Sequence, residues 1–139
     1  MEICGLQHKS SGAWNLDEVI NMIYSEGITR TTFHQCMYGL EARDQLGSAP
    51  AYKPTSILTN HSALAEGLQK RCAGGHRHVQ LVGKHACSRA ATYPRGLCDA
   101  VVKGIQIVKK RCEEITAAQK KTVELGGDSV SWSSRGRTV

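Results

Sequence analysis

Lys53-Pro54-Thr55-Ser56-Ile57-Leu58-Thr59-Asn60 reads as a short strand entered from proline and left through an asparagine able to cap a helix. Thr55, Ile57 and Thr59 are β-branched and favour extended backbone. Upstream, Thr29, Thr31, Thr32, Phe33 and Tyr38 give residues 28–38 the same preference, and Gly39 closes that second strand. Each strand has a helical pattern beside it. Asn15 is placed to cap a helix with Glu18 at the third helical position, Leu16, Val19, Ile20 and Ile23 form its apolar stripe, and Gly27 ends it. After Asn60, Leu64, Leu68 and Cys72 recur every fourth residue before Gly74 and Gly75 stop the helix. Alternation of helix and strand predicts an α/β domain.

The rest of the chain divides around this centre. Residues 1–13 lack periodicity and are expected to be a loose lead-in, residues 14–125 one small domain, and 126–139, rich in Ser, Gly and Arg, a disordered tail. Residues 40–53 read as a long loop. After Tyr93-Pro94 the longest helix is expected: Leu97, Val101, Ile105, Val108, Cys112 and Ile115 form one stripe, with lysines mostly off it.

With 139 residues, 40% of them apolar and only 5% aromatic, the chain allows one small core. No stretch approaches the roughly 20 apolar residues of a membrane span, and the N-terminus lacks the pattern of a secretory signal. Six cysteines without such a signal imply thiols or metal ligands in a reducing setting, cytoplasmic or nuclear. Cys4, Cys87, Cys98 and Cys112 stand among small or apolar neighbours and are read as buried free thiols.

Two clusters carry possible chemistry: His34-Gln35-Cys36-Met37-Tyr38-Gly39 and Cys72-Ala73-Gly74-Gly75-His76-Arg77-His78. Cys36, Cys72, His76 and His78 supply two thiolates and two imidazoles, the four-ligand set of structural zinc. The competing reading makes Cys36 and Cys72 core thiols. His76 and His78 face opposite sides on an extended chain, leaving only one as a ligand, and His34 is a substitute. The glycines before His76 either cap a helix or expose amides to a phosphate.

Between Lys70 and Arg111 lie ten basic residues against Asp99 alone, a net of +9 that leaves −3 on the remainder of a +6 chain. This segment, with Lys70, Arg71, Arg77, Lys84, Arg89, Arg95, Lys103, Lys109, Lys110 and Arg111, suits a polyanion such as DNA or RNA. With few aromatic residues interleaved, the contribution is electrostatic and salt-sensitive. No catalytic constellation stands out: Asp17 and Glu18 complement a helix dipole, and no nucleotide-binding loop or paired-carboxylate motif occurs.

The order His34-Gln35-Cys36-Met37-Tyr38-Gly39, Lys53-Pro54-Thr55, Thr59-Asn60, Cys72, Gly75-His76-Arg77-His78, Tyr93-Pro94 and Leu97-Cys98 resembles a segment of retrotransposon polyproteins. It also resembles the C-terminal part of phage-type DNA methyltransferase-like proteins, over residues 11–104. The resemblance implies a partial methyltransferase-like, Rossmann-type α/β fragment from a mobile element, with other parts of a polyprotein as partners. In that family a catalytic Asn-Pro motif and a glycine-rich cofactor loop belong upstream of Trp14, and residues 1–13 hold neither. The resemblance therefore implies S-adenosylmethionine only together with an upstream half, and a chain that is catalytically inactive by itself.

Overall fold

A computed structural model describes residues 3–125, with backbone only for residues 3–6. The expected tail at 126–139 lies outside the described residues. The architecture is mixed α and β: small antiparallel sheets, short helices and one long C-terminal helix. The chain divides into two compact units, Met1–Val108 and Lys109–Val139. No helix among the described residues is long and apolar enough to cross a membrane.

The main sheet has three strands. β1 (Ile3–His8) and β2 (Thr29–His34) each pair antiparallel with the central β5 (Pro54–Thr59). Thr55 through Thr59 are at most 1% exposed, so β5 is covered on both faces. Side-chain alternation divides its residues. Thr55 and Ile57 lie beside Phe33 and Thr31 of β2, whereas Ser56 and Leu58 lie beside Thr32 and Arg30. On the first face Phe33, Ile57 and Tyr38 meet Leu64 and Leu68 from α2 (Ser62–Gly67) and its C-cap, and Leu97 from α4 (Arg95–Leu125). On the second, the Thr32 and Ser56 hydroxyls bond at 2.8 Å, and the Arg30 guanidinium stacks 4.1 Å over the buried Trp14 ring. Trp14 Nε1 donates to the His8 carbonyl, which ties its 3-10 turn (Gly12–Asn15) to the end of β1.

Several expectations change. Residues 3–8, placed in a loose lead-in, form a sheet strand, because β5 offers them an unpaired edge that no local pattern announces. A Rossmann-type unit rests on parallel strands with crossover helices; the main sheet here is antiparallel throughout, so that expectation is not met in the described residues. Ser11, not Asn15, caps the first turn, and α1 (Asp17–Ile23) starts from Leu16 without a side-chain cap. The strand expected over 28–38 stops at His34, and Gln35–Tyr38 turn into a 3-10 helix that Gly39 ends at φ 88°. α2 ends at Gly67, well before Cys72, with His61 as N-cap in place of Asn60.

The loop expected over 40–53 folds into a hairpin of β3 (Glu41–Asp44) and β4 (Gly47–Pro50). Asp44 accepts from Leu46 N–H at 2.9 Å and Gly47 takes φ 103°, a turn built from side-chain bonding and glycine. A short α3 (Lys84–Arg89) follows the second cluster. The α4 stripe is buried at Leu97 and Val108, half-buried at Val101 and Ile105, and exposed from Cys112 onward.

Candidate metal centre

Cys36 is buried on the 3-10 turn that leaves β2. Cys72, His76 and His78 come from the irregular chain between α2 and α3. Their donor atoms all lie within 4.8 Å of one another, a Cys2His2-like group able to hold a metal ion. Cys72 Sγ is 3.5 Å from His76 Nε2 and 3.5 Å from His78 Nε2. A thiolate and an imidazole bound tetrahedrally to one zinc, at roughly 2.3 and 2.0–2.1 Å, stand about 3.6 Å apart. These two Cys72–His distances match that separation, and the four donors together could hold a metal ion.

Convergence depends on backbone that the extended-chain reading did not include. Gly74 and Gly75 have φ of 88° and 83°, which turn the chain so that His76 and His78 lie on one side, their rings 4.4 Å apart. Gly74 N–H also donates to Cys72 Sγ at 3.4 Å. These glycines are thus neither the cap of α2 nor, in this arrangement, a free amide nest.

The surroundings hold the group in place. His34 is not in the metal-holding group: its Nδ1 accepts from Cys72 N–H at 2.9 Å while its own backbone N–H donates to the Lys70 carbonyl at 3.0 Å. Burial, followed by the charges of Arg71 and Lys9, pushes the His34 pKa down, so the ring is neutral with its proton assigned to Nε2, facing the Tyr52 hydroxyl 3.4 Å away. Tyr52 packs against His34 on one side and His78 on the other, with centroids at 4.8 and 5.2 Å. Arg77, between His76 and His78 in sequence, forks onto the Asp44 carboxylate and the Gly47 carbonyl. That bond, with Leu46 N–H, outweighs the desolvation that would raise the Asp44 pKa and holds it down. Val79 N–H then donates to the Pro50 carbonyl, which fastens the end of the cluster to β4.

Burial, then the neighbouring Cys72, pushes the Cys36 thiol up to about 11 in the metal-free chain. A metal must therefore displace its proton. The sequence reading had no sign of Tyr52 or Asp44 as supports; only Asp44's place three residues before a glycine marks a turn.

Arg71 and Arg77 of the basic segment belong to the surroundings of this centre; the other basic residues are spread along the chain. Lys70 and Arg71 follow α2, Lys84 and Arg89 sit on α3, and Lys103, Lys109, Lys110 and Arg111 on α4; all are exposed. Among the described residues only Arg77, Arg95 and Lys109 of the ten are in ion pairs. Cys87, Cys98 and Cys112, expected to be buried, are exposed instead. Leu97, beside Cys98, is buried while Cys98 is not, and Cys112 lies beyond Val108, the last buried residue of the described helix. The Cys4 side chain lies outside the described side chains.

The chain matches no family model, no curated protein and no solved structure.

Proposed function

We propose that this protein is a small zinc-stabilised interaction module in which Cys36, Cys72, His76 and His78 bind one structural zinc. The observation that carries this reading is the 3.5 Å spacing from Cys72 Sγ to both imidazole Nε2 atoms, with Cys36 in the same cluster. Four protein ligands leave no open coordination position, which favours a structural over a catalytic ion. Zinc here would bind the 3-10 turn after β2 to the chain beyond α2, contributing folding energy directly. Purified protein should contain close to one zinc per chain, and a chelator should lower its melting temperature. Less than about a tenth of an equivalent, with melting indifferent to chelator, sinks the proposal.

A second reading concerns a polyanion. Seven exposed cations in the basic segment, Lys70, Arg71, Lys84, Arg89, Lys103, Lys110 and Arg111, are outside any ion pair among the described residues. Unneutralised charge of this density favours nucleic acid through released counterions. Affinity should then fall steeply between about 50 and 200 mM salt, and a flat response removes the reading. Mobile-element ancestry remains a proposal resting on motif order alone, and methyl transfer is no part of the role proposed here.

A further inference from the structure

The basic segment leaves out one arginine that the fold brings next to it. Arg43 of β3 and Arg89 of α3 line the same groove, a cavity of about 570 Å³ between the β3–β4 hairpin and α3. Sites of roughly 300–1,000 Å³ accommodate small ligands or single chain segments. Both arginines are exposed, and among the described residues neither is in an ion pair. His85 and Ser48 add donors, and Glu41 is the one acid in the lining. Leu81 and Val82 form an apolar part of the wall, and Val82 is 78% exposed. Guanidinium groups pair in fork geometry with phosphate oxygens, whereas exposed aliphatic surface beside them suits the face of a base or sugar.

We propose that this groove binds a single-stranded nucleic acid, with Arg43 and Arg89 on its phosphates and Val82 with Leu81 against a base. The inference rests on the polyanion reading and gives it a location. A cavity of this size admits one strand, not the cylinder of a duplex. One wall is held by the metal loop, since Arg77 grips Asp44 and Gly47 at the hairpin turn. The fold therefore presents Arg43 from outside the basic segment to Arg89 within it.

Fluorescence anisotropy of the full chain with labelled oligothymidylate and oligouridylate tests the assignment. Replacing both Arg43→Ala and Arg89→Ala should weaken binding by about tenfold or more and flatten the slope of log K against log salt by roughly 1.4, since each single-strand phosphate contact contributes about 0.7. Arg43→Lys with Arg89→Lys should restore most of the salt slope, and circular dichroism should show all variants folded, as both side chains are exposed. The triple variant Lys109→Ala, Lys110→Ala, Arg111→Ala should retain the contacts at the groove. Photocrosslinking with a 4-thiouridine oligonucleotide should label peptides covering 41–48 and 81–90. Crosslinks confined to α4, or an unchanged affinity in the double alanine variant, overturn the groove while leaving a polyanion site elsewhere. No oligonucleotide binding at low salt overturns both. Equal displacement by a polyglutamate peptide, or tighter binding of duplex than of single strand, also overturns the single-strand assignment.

Discussion

At Cys36 the local environment opposes what the metal requires. Burial and the neighbouring Cys72 hold the thiol up at about 11, so the metal-free protein keeps it protonated at neutral pH, and the proposed zinc would have to expel that proton. The sign follows: lowering the pH favours the protonated thiol and weakens metal binding, and raising it strengthens binding. Calorimetric titration of zinc at pH 7 in two buffers of different ionisation enthalpy should reveal release of at least one proton per ion. His34 is a positioning residue for the adjacent ligand. His34→Ala, which removes the acceptor for Cys72 N–H, should reduce zinc affinity on the order of 10-fold, the lower end for outer-sphere partners. A competition titration against a chromogenic chelator measures it. Gln35 makes a different point. Its Nε2 donates to Thr55 Oγ1 at 2.8 Å, whereas its buried Oε1 has no partner. Gln35→Met removes the orphaned oxygen and keeps most of the volume, so urea unfolding should place it within about 1 kcal/mol of the parent. Gln35→Ala, which leaves a cavity, should cost about 2 kcal/mol or more.

Among the elements, α4 is defined by its glycines as much as by its apolar stripe. A Cβ at Gly96 would stand 2.5 Å from the Tyr38 carbonyl oxygen, and one at Gly104 would stand 2.7 Å from Leu64 Cδ1. The first neighbour is backbone and cannot yield cheaply; the second is the end of a flexible side chain. Alanine improves helix propensity at either site by about 1 kcal/mol, against an overpacking cost of about 1–3 kcal/mol. Gly96→Ala should therefore destabilise clearly, while Gly104→Ala stays near neutral, as paired thermal melts will show. The sequence pattern identified α4 and its phase but treated the stripe as one continuous face. Among the described residues of α4, burial stops at Val108 and every residue from Lys109 to Leu125 is exposed. The β3–β4 hairpin was illegible in the sequence. Glu41-Ala42-Arg43-Asp44 and Gly47-Ser48-Ala49-Pro50 have no apolar alternation, since neither strand has a face deep in the core.

For the whole molecule, stability should be distributed as the burial is. β5, covered on both faces and paired on both edges, should hold its amides longest in hydrogen exchange, and the exposed helix from Lys109 to Leu125 should exchange orders of magnitude faster. Uniform protection along α4 would contradict this. The hairpin is tethered through Asp44 to Arg77, between His76 and His78, so Asp44→Ala should speed hydrogen exchange in residues 41–50 and lower zinc affinity modestly, as a chelator competition will show. Much of this was readable in the chain itself. β-branched residues around Ile57, the four-residue spacing of Leu64 and Leu68 and the spacing of Leu97, Val101, Ile105 and Val108 establish the central strand, the following helix and the long helix, because local propensity and periodicity act over a few residues. Cys36, Cys72, His76 and His78 were recognisable as donors by type. Tertiary structure alone decided that all four meet, that Asp44 and Tyr52 support them, that β1 joins the sheet, and that the strands run antiparallel. These outcomes depend on contacts between residues far apart in sequence and on positive φ at Gly74 and Gly75, which no local pattern of side chains encodes.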